Sequence, residues 1–370
     1  MEYEYDGISL IPGPTQRLLN GRQTEDYRLY QEELVRWLLN MGKNPDKAEG
    51  YSRHTVDTAA YQIDKFHRYI WTEIEDGYTQ QITTDHADQF MQHLAVQDWK
   101  QSYKASLQKS VKREFNFRFY QRGGDEWEPQ FNFYDQTGTH QPRDYLSKEE
   151  RGKIREAALE YGSVPSYANL SGGERNKWRA YLAQRFDKPK SEVTREDWKR
   201  ANSWKYPSLV WTSLDTGLRP IEVERAVVSW VDLGNEVLRI PKAESSKNQD
   251  NWVVALSSRT ARALEKWLDE REQYEKYDDA EKIWLTREGN PYGTNSLAYT
   301  VRQLCDIAGI SYENREMTWY TIRHSVGTQM SAEEGLGATQ AQMRHKDERT
   351  TMRYDQAPVE NRREALDRMG

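Results

Sequence analysis

The sequence predicts a mostly α-helical protein with one small antiparallel β-sheet, arranged as an N-terminal helical domain and a larger C-terminal α+β domain. Three observations carry this reading. Apolar residues recur at three- and four-residue spacing in four successive segments between residues 24 and 122. A stretch containing Gly123, Gly124, Pro129, Gly138 and Pro142 then interrupts the pattern. Beyond it only residues 237–241 and 252–256 are short runs dense in β-branched or aromatic side chains, and the rest returns to a helical period.

The length of 370 residues fits two domains at about 150 residues each. Hydrophobic residues make up only 36% of the chain, so its cores must lean on the 13 Trp and 23 Tyr, which join large apolar area to a polar tip. Cys305 is the single cysteine, which excludes a disulfide within the chain and leaves any structural zinc to His and carboxylate ligands. A reducing compartment is expected. No apolar run approaches the roughly 18 residues of a membrane span, and the acidic start from Met1 to Asp6 is unlike a secretory leader. The expected location is therefore the cytoplasm, associated with the nucleoid if the partner is DNA.

In chain order, residues 1–23 hold Pro12 and Pro14, show no sustained period, and read as an extended arm. Tyr27, Tyr30, Leu34, Trp37, Leu38 and Met41 mark a first helix that stops at Gly42. Val56, Ala59, Ala60, Ile63, Phe66 and Ile70 mark a second. A third starts at Thr84 as cap and carries Ala87, Phe90, Met91 and Leu94. The fourth interleaves Tyr103, Leu107, Val111, Phe115, Phe117 and Phe119 with cations, completing a helical domain over 24–122. Residues 123–142 read as a linker, and 143–370 as the second domain with a tail at 358–370. That domain opens with Ser147 and Glu150 in capping-box spacing. The runs at 237–241 and 252–256 form an antiparallel pair around a long polar turn, followed by helices over 260–274, 296–308 and 318–330. Leu170 to Glu174 has the look of an ATPase signature loop, but the chain contains no G-x-x-x-x-G-K-[ST] phosphate loop, so it reads as a polar turn.

The net charge of −6 argues against a phosphate-rich partner, yet charge is local. Lys100, Lys104, Lys109, Lys112, Arg113, Arg118 and Arg122 face only Glu114 in the fourth helix, which makes it a candidate DNA-binding segment.

The chemistry-bearing residues lie in the last 160 positions, and each alone reads as an ordinary surface or core residue. Together they form an ordered series. Thr216-Gly217-Leu218-Arg219 is followed by Glu222, a turn lysine (Lys247, with Lys242 as the alternative) precedes Val253-Val254-Ala255-Leu256, Ile322-Arg323-His324 comes next, and His345 stands nine residues before Tyr354. This series resembles the tyrosine recombinase or phage integrase family over 205–356, and more weakly over 24–122. The turn Glu288-Gly289-Asn290-Pro291, Ala308-Gly309-Ile310 and Thr350-Thr351 before Tyr354 add to it.

The residue types suit the reaction that the resemblance implies. A tyrosine phenol that attacks a phosphodiester gives a phosphotyrosyl ester, which keeps the bond energy for rejoining. Tyr354 is the expected nucleophile. Arginine forks meet two non-bridging oxygens while staying charged, which gives Arg219 and Arg323 the role of clamp, with His345 as a further donor. Lys247 is the expected general acid toward the leaving 5′ oxygen, and Glu222 is expected to orient Arg219. No metal or nucleotide cofactor is expected.

The sequence departs from the family pattern at three places. Tyr320 stands where the family usually has histidine, so that position donates a hydrogen bond without a cationic charge. Arg344 replaces a glycine and is expected to touch DNA. Residues 160–205 form a longer insertion than the family leads one to expect. The implied fold is an N-terminal helical core-binding domain and a C-terminal catalytic domain that close as a clamp on duplex DNA. The implied function is site-specific recombination through a 3′-phosphotyrosyl intermediate, with a tetrameric synapse, a tail that docks on a neighbouring protomer or in cis, and accessory DNA-bending proteins as further partners. A type IB topoisomerase-like enzyme and a catalytically silent DNA-binding regulator are the alternatives.

Overall fold

The computed structural model describes residues 3–134, 144–245, 250–355 and 358–369. The chain divides into two compact units, Met1–Gln141 and Pro142–Gly370.

The first unit is built on four helices, Gly21–Asn40, Arg53–Tyr69, Thr84–Val96 and Gln101–Arg122. The first begins ahead of Thr24 because the Asn20 side chain accepts from the backbone of Arg22 and Gln23 while Gln23 reaches back to Asn20. The third is capped by Thr83 rather than Thr84, through a reciprocal pair with His86. Leu34, Leu38, Ile63, Phe66, Leu107, Val111 and Phe117 form the common core.

Two expectations for this unit are corrected. Residues 4–11 are not an extended arm. Glu4–Tyr5 and Ile8–Ser9 pair as a short antiparallel hairpin, Ile8, Leu10 and Ile11 are buried, and Thr15 Oγ1 donates to Asp64 at 2.6 Å. Two-residue strands are too short to show a period, so the apolar trio was the only signal. Residues 123–134 are likewise strapped to the unit, not free. Trp127 is buried with its indole N–H on Asp88, and Gln108 bonds both Phe131 O and Phe133 N. The remainder of the expected linker, from 135, lies outside the described residues.

Glu114 sits fully buried at the centre of this unit. It accepts from Tyr30 Oη at 2.7 Å, His67 Nε2 at 2.6 Å and Arg118 Nε at 3.0 Å. Burial pushes its carboxyl up, but the charges of His67 and Arg118, with the hydrogen bonds of His67 and Tyr30, outweigh that and hold it down at about 2.

The second unit packs Lys148–Glu160, Lys205–Thr216, Ser258–Arg271, Thr294–Ala308 and the first part of Trp319–Met343 around Trp230, Trp267, Trp284 and Trp319. Ser147 and Glu150 cap the opening helix reciprocally, as the spacing predicts. The strands Val237–Ile240 and Trp252–Ala255 pair antiparallel with Val237 opposite Ala255, and an unforeseen short strand, Val231–Asp232, adds to the other edge. Leu238, Ile240 and Val254 turn inward.

Ser171 of the Leu170–Glu174 motif caps the helix Gly172–Arg185 with Glu174 as its reciprocal partner, so this sequence starts a helix. Within the 160–205 insertion, Trp178, Leu182, Val193 and Trp198 form a satellite core of their own. The helix expected over 318–330 runs on until Gly335, whose φ of +81° glycine tolerates and which interrupts it, and a second helical stretch follows to Met343. The tail is a helix, Val359–Met369. Among the described residues, no helix is long and apolar enough to cross a membrane.

Glu114→Gln should destabilise the first unit by about 3–5 kcal/mol, the usual cost of breaking a buried ion pair, as read by urea denaturation at neutral pH. Because the folded carboxyl lies below its unfolded value near 4.3, its contribution is present above that value and should be lost as pH falls toward about 2. In the variant that part of the acid dependence should disappear.

Candidate active site

The site is assembled where the helix Lys205–Thr216 ends. Gly217 caps it in the left-handed region, at φ +59°, and a side-chain carbon there would lie 2.8 Å from Met343 Sδ. Its carbonyl accepts from Arg323 Nη1 and from Arg344 Nη2. Arg219 follows at the start of the short helix Pro220–Arg225, which brings Glu222 beneath it one turn later.

Glu222 is buried and shared. Its Oε1 accepts from Arg219 Nη1 at 2.8 Å, and its Oε2 from Arg344 Nη2 at 2.7 Å and from the Arg219 backbone at 2.8 Å. Burial raises this carboxyl, but the charges of Arg344 and Arg219 prevail and hold it at about 2.

Arg344 overturns an expectation. It is only 4% exposed, and besides Glu222 it donates to the carbonyls of Thr216 and Gln342. It is an internal cation paired with Glu222, not a surface side chain. A buried carboxylate needs charge partners, and Arg344 supplies the second one even though its own backbone is left-handed, at φ +56°.

Arg323 is equally buried. It donates to Gly217 O, to Met343 O at 2.7 Å and to His345 Nε2 at 3.0 Å. Burial, followed by repulsion from Arg219 and Arg344, lowers its guanidinium to about 9. Since Arg323 only donates, His345 Nε2 is the acceptor, and Nδ1 carries the hydrogen that bonds Thr351 Oγ1 at 3.0 Å.

Tyr354 stands in the turn Met352–Tyr354, its ring parallel to His345 with centroids 5.8 Å apart. The ring also lies on Gly327, where an added Cβ would meet it at 2.5 Å. Its hydroxyl is 3.1 Å from His324 Nδ1. His324 had no role in the sequence reading beyond its place in the motif. The available signal was its position three residues before Gly327 on one helical face. Tyr320, 43% exposed, stacks on the His324 ring at 6.2 Å.

The structure thus brings Arg219, Glu222, Arg323, Arg344, His345 and Tyr354 together, with Tyr320 joined through His324. Lys247 lies outside the described residues. Lys242, the alternative, is exposed in the turn.

In the first unit the expected basic face is largely consumed by folding. Lys104 is buried with Nζ on Ala95 O, and the partly buried Arg118 is paired with Glu114, so both cations are engaged within the unit. Arg113 lies over Tyr51, while Lys112 and Arg122 pair with Glu128 and Glu33. Lys100 and Lys109 are exposed.

Residues 196–360 match the phage integrase family. Solved structures similar to it include the XerH site-specific recombinase bound to its difH substrate in a post-cleavage complex, at 16% identity and TM-score 0.58, covering 97% of this chain and 90% of that one. The lambda integrase dimer bound to a COC′ core site follows at 13% identity and TM-score 0.52, covering 91% and 81%. The Tn1549 transposon integrase in complex with transposon right end DNA has 13% identity and TM-score 0.51, covering 90% and 98%. These likenesses show that the chain shares the fold of these proteins across most of its length. No curated protein matches the sequence. The mostly helical fold with its small sheet is the one that the resemblance carried by Arg219, Arg323, His345 and Tyr354 led one to expect.

Arg344→Ala should destabilise the second unit by about 3–5 kcal/mol, because it strips a partner from buried Glu222. The salt dependence of DNA binding should be unchanged. Thermal melting beside a salt titration checks this: a phosphate-contacting arginine would give the opposite pattern, with stability kept and the slope reduced by about 0.9.

Proposed function

We propose that this protein is a site-specific DNA recombinase that cuts and rejoins duplex DNA through a 3′-phosphotyrosyl intermediate, using neither ATP nor a metal ion. The observation that carries the reading is the placement of Tyr354 at a buried cationic cluster, its ring stacked on the His345 that bonds Arg323. Arg219, Arg323 and Arg344 surround the single carboxylate of Glu222, and Arg219 keeps 17% of its side chain exposed. Such a cluster favours an added anion, and a phosphodiester with Tyr354 at its edge satisfies both features.

In the cleavage step Tyr354 Oη bonds to phosphorus and the bond from phosphorus to the 5′ oxygen breaks. Arg219 and Arg323 take the non-bridging oxygens, which carry the growing charge. Lys247 gives its proton to the leaving oxygen, a role assigned by resemblance. His345 holds Arg323 through Nε2 and stacks on Tyr354, so one imidazole ties the clamp to the nucleophile. The phosphotyrosyl ester stores the energy of the broken bond, and attack by a second 5′ hydroxyl reverses the step, so the chemistry needs no nucleotide. Lys100 and Lys109, the exposed cations of the basic helix, are proposed to track the DNA backbone, in the cytoplasm at the nucleoid.

The tail supports a self-partner. Val359, Leu366 and Met369 are 45%, 67% and 83% exposed along one helix, apolar surface that a second copy in a tetrameric synapse would cover.

Tyr354→Phe should abolish the SDS-resistant adduct on a nicked duplex that traps the cleaved state, while gel-shift affinity stays within about twofold, since only the nucleophilic oxygen is lost. Persistence of the adduct would remove Tyr354 as nucleophile. A wild-type protein that binds DNA and forms no adduct would leave only the role of a silent DNA-binding regulator.

A further inference from the structure

We propose that His324 is a catalytic residue of this site: its Nδ1 takes the proton from Tyr354 Oη during strand cleavage and returns it when the strand is rejoined. This rests on the proposed function and assigns the proton that the reading above leaves without a destination.

The geometry is specific. His324 Nδ1 lies 3.1 Å from Tyr354 Oη, within reach for direct transfer. His324 is only 7% exposed, and its ring has Tyr320 stacked on it, with interplanar angle 27°, and Tyr354 tilted against it at 5.9 Å. Arg323 and Gly327, on the same helix, fix the two ends of the arrangement: the guanidinium marks the phosphate position, and the bare backbone at 327 lets the phenol ring settle within reach of the imidazole. The other groups nearby are poorly suited to the task. Arg323 has no acceptor. Both nitrogens of His345 are engaged, Nε2 by Arg323 and Nδ1 by Thr351, and its ring is stacked parallel to that of Tyr354.

The step balances. The Oη–P bond forms as the bond from phosphorus to O5′ breaks, the phenol proton passes to His324, which becomes imidazolium, and the 5′ oxygen leaves as a hydroxyl with the proton from Lys247. On rejoining, a 5′ hydroxyl attacks phosphorus, its proton returns to the lysine, and His324 protonates the departing tyrosine. Loss of a general base typically costs about 10²- to 10⁴-fold in rate.

The test measures adduct formation on the nicked duplex for the wild type, His324→Gln and His324→Ala, each also prepared with 2,3,5-trifluorotyrosine at position 354, with gel-shift binding as the check on folding. The fluorinated phenol ionises without help. It should restore most of the rate lost in both His324 variants and change the wild type little, a rescue that a merely structural role would not produce. A His324→Gln protein that cleaves near the wild-type rate, or DNA-binding variants whose loss the fluorinated phenol does not relieve, would overturn the assignment to His324 alone. A wild type without an adduct would overturn the recombinase reading and this proposal with it.

Discussion

The active site depends on one buried carboxylate. Glu222 bonds both Arg219 and Arg344, and Arg323 lies close enough to lower the charge cost of its own burial through it. Two guanidiniums about 4 Å apart repel by roughly 4 kcal/mol at an effective dielectric of 20, so three of them cannot share a buried site without a counter-charge. The carboxylate lets them coexist but does not neutralise them all. The surplus positive charge is what makes the site attractive to a phosphodiester, which is the same physics as that of a preorganised oxyanion site.

That constraint explains features that otherwise look accidental. The left-handed backbone of Arg344 is tolerated because its guanidinium has four acceptors within reach. Gly217 must be glycine both for its positive φ and for its closeness to Met343, and its carbonyl then serves two arginines. On the nucleophile side the same economy holds: Gly327 leaves space for the Tyr354 ring, and His345 stacks on that ring while gripping Arg323. Clamp and nucleophile are linked through one imidazole, so a shift of either is felt by the other.

Much of the fold was readable from local rules. The helical periods, the Ser147 capping box and the β-pair report interactions between residues near one another in sequence, and these survive folding with shifts of a few positions. What sequence could not give was burial. Lys104, Arg118 and Arg344 have the side chains of DNA contacts, but the first is buried and the other two pair with the buried carboxylates Glu114 and Glu222, and nothing in residue type distinguishes an inward cation from an outward one. The hairpin at 4–9 and the strand Val231–Asp232 were too short for a period. The strap at 123–134 was hidden because Gly and Pro mark a break in regular structure, not a lack of packing. At the site, the order of motifs pointed to Arg219, Arg323, His345 and Tyr354, whereas His324 became visible only when the turn Met352–Tyr354 placed a phenol beside it.

The central claim is that the Glu222 carboxylate organises the arginine clamp, and Glu222→Gln tests it most directly because the shape is kept and the charge removed. The measurement is the rate of covalent adduct formation on a nicked duplex, per folded molecule as counted by thermal melting. The account predicts a loss of about 10²- to 10³-fold, comparable to removing a transition-state donor, with single-site DNA binding retained. A folded Glu222→Gln protein that cleaves at the wild-type rate would contradict it.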